Sequence, residues 1–283
     1  MHIATLEHTT PEAQLQAFLA AFADYPLPPQ LTQAEFDQML RRTGCRAELS
    51  VGAFERDELV GFIHNGIRPW QGVLAAYDQG TAVVPAWRRQ GVTTALFDAL
   101  VPRLTAAGVG RYVLEVLRKN QPAYELYLKK GFQVTREFDC FAREKDGLPV
   151  AGGGWALAPV EDVTTLDWNA CAALWDDSPS WQNSPDSVCA VAGCFTAVTA
   201  TVGGQLAGYG IIDRHTGSLP QLAVAKDCRR AGLGRVLLAA LAERTESDRL
   251  SAINVTTGGS GAAFLQAMEF AFTVGQYEMV REL

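Results

Sequence analysis

Val83-Val84-Pro85-Ala86-Trp87-Arg88-Arg89-Gln90-Gly91 recurs further along the chain as Val224-Ala225-Lys226-Asp227-Cys228-Arg229-Arg230-Ala231-Gly232. The register is constant: 224 − 83 and 232 − 91 both equal 141. Each copy runs into a stretch whose apolar residues fall at helical spacing. In the first these are Val92, Ala95, Leu96, Ala99, Leu100 and Leu104; in the second, Leu233, Val236, Leu237, Ala240 and Leu241. A single long period is a duplicated domain, not a solenoid repeat. The 283 residues are room for two domains of ordinary size. Leu148-Pro149-Val150-Ala151-Gly152-Gly153-Gly154, rich in glycine and proline, reads as the joint. The expected organisation is a first domain over 1–147, a linker over 148–154 and a second domain over 155–283.

Around the turns the patterning predicts strands near 2–7, 47–55, 58–67, 76–84, 111–117 and 132–142 of the first half. Helices fall near 11–24, 32–42, 91–107 and 121–130. The second half predicts strands near 155–158, 194–202, 205–213, 218–225, 250–256 and 270–281, with helices near 162–175, 184–191, 231–246 and 260–268. This order gives an α/β (α+β) sandwich in each half, a mixed sheet flanked by helices.

The turn itself carries chemistry. A strand that enters a helix through glycine leaves the first helical N–H groups unpaired. Those donors and the positive end of the helix dipole favour an anion such as a diphosphate. Glycine lets the backbone come close to it, and arginines can add charge nearby.

On these residues the chain resembles the GNAT superfamily of acetyltransferases, whose acetyl-CoA signature is Q/R-x-x-G-x-G/A. The second half matches it at Arg229, Gly232 and Gly234; the first matches at Arg88 and Gly91 and has Thr93 in the last place. The resemblance implies acetyl-CoA (coenzyme A) as co-substrate and splayed central strands in a mostly antiparallel sheet. It implies coenzyme contacts at Val83, Val84, Arg88, Arg89, Gln90, Gly91, Val92, Thr93 and Thr94, and at Val224, Arg229, Arg230, Ala231, Gly232, Leu233, Gly234 and Arg235. The backbone near Val83-Val84 would pair with the pantetheine arm and stabilise the carbonyl oxygen.

A second motif lies downstream. Leu114-Glu115-Val116, Asn120, Tyr127 and Gly131-Phe132 are similar to the ribosomal-protein alanine acetyltransferases. In that branch the matching glutamate is the general base and the matching tyrosine the general acid, so the likeness implies those roles for Glu115 and Tyr127. An amine must lose a proton to attack a thioester, and the departing thiolate gains from receiving one. Asn120 caps the helix beginning at Gln121 and can also contact pantetheine. With Phe270 aligned to Phe132, Leu265 stands opposite Tyr127, so the second half lacks the general acid. Gly258-Gly259-Ser260-Gly261 mimics a dinucleotide loop, yet Phe264 takes the third glycine position, which excludes a Rossmann reading. The tandem layout is similar to that of the mycothiol synthases.

The acceptor, an amine of a small molecule or peptide, is expected near Tyr25, Asn65, Arg68, Tyr77 and Asp78. Asp78 could hold a cationic amine or serve as an alternative base. Asp176 to Asn183 would occupy the corresponding region of the second half. A coenzyme-binding regulatory or scaffold protein without turnover is the competing reading.

Composition narrows the rest. A formal net charge of −7 disfavours nucleic-acid binding, which needs a basic surface. Six cysteines without a C-x-x-C pair and scattered histidines indicate neither a metal site nor a disulfide framework. The start of the sequence shows no signal peptide. The uncharged run from Val188 to Ile212 reads as two strands joined at Gly203-Gly204, not as a membrane span. A cytoplasmic monomer or homodimer is expected.

Overall fold

The computed structural model describes residues 1–24, 29–148 and 155–283. In chain order its elements begin with β1 (His2–Thr5), α1 (Pro11–Ala21), α2 (Gln33–Thr43), β2 (Val51–Glu55), β3 (Glu58–Trp70), β4 (Val73–Val83) and α3 (Val92–Ala106). Then come β5 (Arg111–Leu117), α4 (Gln121–Lys129), β6 (Gln133–Glu144), β7 (Leu157–Val160), α5 (Trp168–Ala172), α6 (Pro185–Cys189) and β8 (Phe195–Val202). The chain continues through β9 (Gln205–Asp213), β10 (Gln221–Val224), α7 (Leu233–Ala242), β11 (Arg249–Thr256), α8 (Ser260–Ala267) and β12 (Ala271–Glu282). The expected order of strands and helices holds with one difference. The helix near 162–175 is a 3₁₀ turn at Val163–Thr165 followed by the short α5. Asp167 takes an extended conformation and caps a new start, accepting from the amides of Asn169 and Ala170, as an N-cap aspartate does. The run from Val188 to Ile212 contains β8 and β9, joined at Gly203 and Gly204, both at positive φ. No helix among the described residues is long and apolar enough to cross a membrane.

The described residues form two compact units: Met1–Val116, Asn120–Thr135 and Glu278–Leu283 in the first, Leu117–Lys119 and Arg136–Tyr277 in the second. Of the expected joint at 148–154, all but Leu148 lies outside the described residues.

In the first unit the sheet runs β1-β2-β3-β4-β5, with the end of β12 beyond β5. That last strand is held locally. The amide of Leu283 donates to Gly110 O at 3.0 Å, and Arg111 meets Glu282 at 2.8 Å. Helix starts follow the sequence closely: Thr10 caps α1, Thr32 and Glu35 form a capping box on α2, and Asn120 accepts from the Ala123 amide to cap α4. Leu6, Ala17, Ala21, Leu59 and Phe62 form one buried cluster under α1. The sheet splays where the site lies. β4 and β5 are parallel and paired only from Ala75↔Arg111 to Asp78↔Leu114. Beyond Asp78 the register of β4 against β3 also shifts, with Gln79 the extra residue between Asn65↔Asp78 and His64↔Gly80. Such a bulge re-aims neighbouring side chains.

The second unit repeats the plan. A four-stranded sheet runs β10-β9-β8-β7, while β11 pairs antiparallel with β6. Helix α7 buries Leu233, Leu237, Leu238 and Leu241 in a core with Val198, Ile212, Leu250 and Phe270. Just before β10 the equivalent parallel contact with β11 shrinks to a single bridge, Ser218↔Ser251.

Candidate functional site

Both copies of the repeated turn fold alike. A 3₁₀ turn follows each strand, Pro85–Trp87 after β4 and Lys226–Cys228 after β10. The backbone is then left-handed at Arg89 (φ 61°) and Gly91 (φ 79°), and at Arg230 (φ 63°) and Gly232 (φ 87°). A non-glycine residue with positive φ is uncommon, and both turns have one at the same step. Gly91 and Gly232 begin α3 and α7 without a side-chain cap on the first-turn amides. Amides displayed around left-handed residues form an anion-binding concavity.

At the first turn this concavity opens into a cavity of about 330 Å³, within the size range of small-ligand sites. Its walls are Val83, Trp87, Arg88, Arg89, Gly91, Val92, Thr93, Thr94, Pro122 and Leu126. Most of these stand among the expected coenzyme contacts; Trp87, Pro122 and Leu126 join them without being marked by the motif. Beyond Gly91 and its two chain neighbours, no atom of the described residues lies within 4 Å of where a Cβ on Gly91 would stand. Gln90 turns back to donate to Ala86 O at 3.0 Å.

Three sets of the expected contact residues have partners within the protein. The guanidinium of Arg88 is held by the protein itself: Nε donates to Val83 O at 3.0 Å, Nη2 to Ala21 O at 2.7 Å, and both Nη groups reach the part-exposed Asp24 carboxylate. Arg229 does the same toward Val224 O and Asp176. At the end of β4, Val83 O therefore accepts from Arg88, and the Val84 amide donates to Val60 O at 2.9 Å. Both of these groups thus have a partner within the protein. Third, Gly234 is packed against Phe264: a Cβ there would lie 3.0 Å from Cε2 of that ring. In the same unit Trp155 Nε1 donates to Ala231 O, and the Arg235 amide donates to Gly232 O.

The acceptor-side residues divide. Tyr25 lies outside the described residues. Asn65 is fully buried; its Nδ2 donates to Leu49 O at 2.8 Å and its Oδ1 accepts from Tyr112 at 2.7 Å. Arg68 donates to the carbonyls of Arg41 and Arg42 at the end of α2. Asn65 finds its partners internally, as a buried polar group must, and Arg68 is tied to the end of α2. Tyr77 donates to Glu115 Oε2 at 2.7 Å. In the second unit Asn183 Nδ2 donates to Ile253 O on β11, and its main-chain O accepts from Gln221 of β10. Ser180 and Trp181 are buried beside it.

Asp78 stands at the last paired position before the splay. It is 5% exposed; Thr81 donates to Oδ2 at 2.6 Å, and Oδ1 is buried with no hydrogen-bond partner among the described residues. Burial pushes its carboxyl up to about 7. Tyr127 is 8% exposed on α4, edge-on to Phe97 and Phe132. Burial, then the nearby Asp78 and Tyr127, hold the Tyr112 hydroxyl well above its ordinary range. Tyr77 and Asp78 are consecutive, so their side chains take opposite faces of the sheet. Glu115 shares the face of Tyr77, whereas Asp78 and Tyr127 share the neighbourhood of Tyr112.

The sequence matches the acetyltransferase (GNAT) family over residues 12–132 and an acetyltransferase (GNAT) domain over residues 186–278. Mycothiol acetyltransferase from Brachybacterium faecium is 32% identical over 127 residues, which is 44% of this chain and 38% of that protein. This chain thus matches well under half the length of that relative. Two solved structures share the fold at a TM-score of 0.72. One is a tandem GNAT protein from the clavulanic acid biosynthesis pathway, 16% identical, covering 99% of this chain and 98% of its own. The other is a GCN5-related N-acetyltransferase from Sphaerobacter thermophilus, 14% identical, covering 99% and 95%.

Proposed function

Because this chain belongs to the GNAT acetyltransferase family, we propose that it is an acetyl-CoA-dependent N-acetyltransferase working through the first unit. The carrying observation is the cavity at the first turn, where uncapped amides of α3 face an open space bounded by α4. The amides around Arg89 to Thr93 hold the diphosphate. The pantetheine arm follows the cavity between Val83 and Leu126 toward the splay of β4 and β5.

The acceptor is a primary amine of a small molecule or peptide, attacking the thioester directly in a ternary complex. Asp78 takes the amine's proton, since a base near neutrality is in its active form at working pH. Tyr127, on the same side of the sheet, gives its proton to the departing coenzyme A thiolate. Glu115 accepts the Tyr77 hydroxyl on the opposite face of the sheet, so it is the reserve base and not the first one. The close packing of Tyr127 against Phe97 and Phe132 favours a second reading, a coenzyme-binding protein without turnover.

The test pairs calorimetric titration of acetyl-CoA with a thiol-release assay over a panel of amines, the acceptor of the mycothiol acetyltransferase among them. Binding with release supports catalysis. Binding without release across the panel supports the second reading, and no binding at all removes both.

A further inference from the structure

The signature arginine does the same unexpected thing twice. In the first unit four of the five guanidinium donors of Arg88 are taken up within the protein, by Val83 O, Ala21 O and both oxygens of Asp24. In the second, Arg229 Nε donates to Val224 O at 2.9 Å, and its Nη groups reach Asp176 at 2.8 and 3.1 Å. The partners are not in register with the repeat. Asp24 lies 64 residues before Arg88, whereas Asp176 lies 53 before Arg229. The pairing therefore recurs in space although the segments that supply the aspartate differ in length. A bidentate arginine–carboxylate pair fixes direction as well as distance. The residue that follows the arginine in each turn is non-glycine and left-handed, at φ 61° and 63°. Such a conformation persists only where its surroundings enforce it.

We propose that Asp24 and Arg88 form a clasp that positions the diphosphate-binding turn, Arg88 acting through the backbone and not as a phosphate ligand. By fastening Val83 O and the end of α1 to the arginine, the clasp holds the chain so that Arg89 and Gly91 stay left-handed and their amides converge. The Asp24 carboxyl is held below its usual range by Arg88, which agrees with a pair that is formed in the folded state. The inference rests on the first turn being the coenzyme site.

The two roles for Arg88 predict opposite signs. Were Arg88 a phosphate ligand, Asp24 would be a competing negative charge, and Asp24→Asn would tighten acetyl-CoA binding. For a clasp, Asp24→Asn weakens it about fivefold, the scale of a partly exposed ion pair. Asp24→Glu retains most of the affinity, Arg88→Gln costs about as much as Asp24→Asn, and the double variant loses no more than either alone. Calorimetry with acetyl-CoA reads these values, with thermal unfolding as the folding control. Tighter or unchanged binding in Asp24→Asn, or additive losses, overturns the clasp. Hydrogen exchange at the amides of residues 89–92 gives a readout that needs no coenzyme: faster exchange in Asp24→Asn supports the clasp, and unchanged exchange refutes it. If the unsubstituted protein binds no acetyl-CoA, the proposed function fails, and the exchange result alone then decides the clasp.

Discussion

The ring of Phe264 lies against the backbone of Gly234, so that a Cβ there would stand 3.0 Å from Cε2. The residue after it, Leu265, accepts the Phe270 amide at 3.0 Å, as Tyr127 accepts the Phe132 amide at 3.0 Å. Phe264 thus holds in the second unit the place of Leu126, which lines the open cavity of the first. Asp176 adds to the closure by accepting from Ser260 Oγ at 2.5 Å as well as from Arg229. The expected stoichiometry is one acetyl-CoA per chain, counted by equilibrium dialysis. Gly91→Glu should abolish binding and Gly232→Glu should spare it; two bound molecules would refute this.

Tyr127→Phe removes the hydroxyl and keeps the ring against Phe97 and Phe132. The expected outcome is a fall in kcat of about 10²-fold or more, with acetyl-CoA affinity and melting temperature little changed. Unaltered turnover on an identified acceptor would remove Tyr127 from the chemistry.

Asp78 sets the pH dependence. Its carboxyl is pushed up to about 7, and a base acts in its ionised form. The value of kcat/KM should rise as pH increases through about 7 and level off above. Stability runs the other way. Between the ordinary carboxyl value of 3.8 and about 7, the unfolded chain has released this proton and the folded chain keeps it, so stability falls as pH rises through that window. Asp78→Asn should remove both the rising limb and this component of the unfolding curve. A rising limb that survives the substitution would assign the base elsewhere, Glu115 being the next candidate.

Asn65 separates framework from acceptor site. Asn65→Ala strips partners from the buried Tyr112 hydroxyl and Leu49 carbonyl, at a cost of about 1–3 kcal/mol. A clear drop in melting temperature is expected. A raised acceptor KM with unchanged stability would return Asn65 to the substrate site.

What could be read from residue order was whatever a few neighbouring residues decide among themselves. The duplication follows from the register of Val83–Gly91 with Val224–Gly232. The cap at Asn120 and the glycine-opened starts of α3 and α7 are contacts within three or four positions. The absence of a tyrosine at Leu265 is likewise a matter of alignment. Local hydrogen bonds and side-chain periodicity carry these features, so they survive without knowledge of the fold.

Only tertiary structure decided where the arginines point, which glycine is for packing and which carboxylate is buried. Arg88 finds Asp24 across 64 residues, Gly234 is covered by a ring from another helix, and Asp78 owes its raised carboxyl to burial at the splay of β4 and β5. Charge partners, desolvation and steric closure arise from chain segments meeting in space, and the motif Q/R-x-x-G-x-G/A is silent about what meets it.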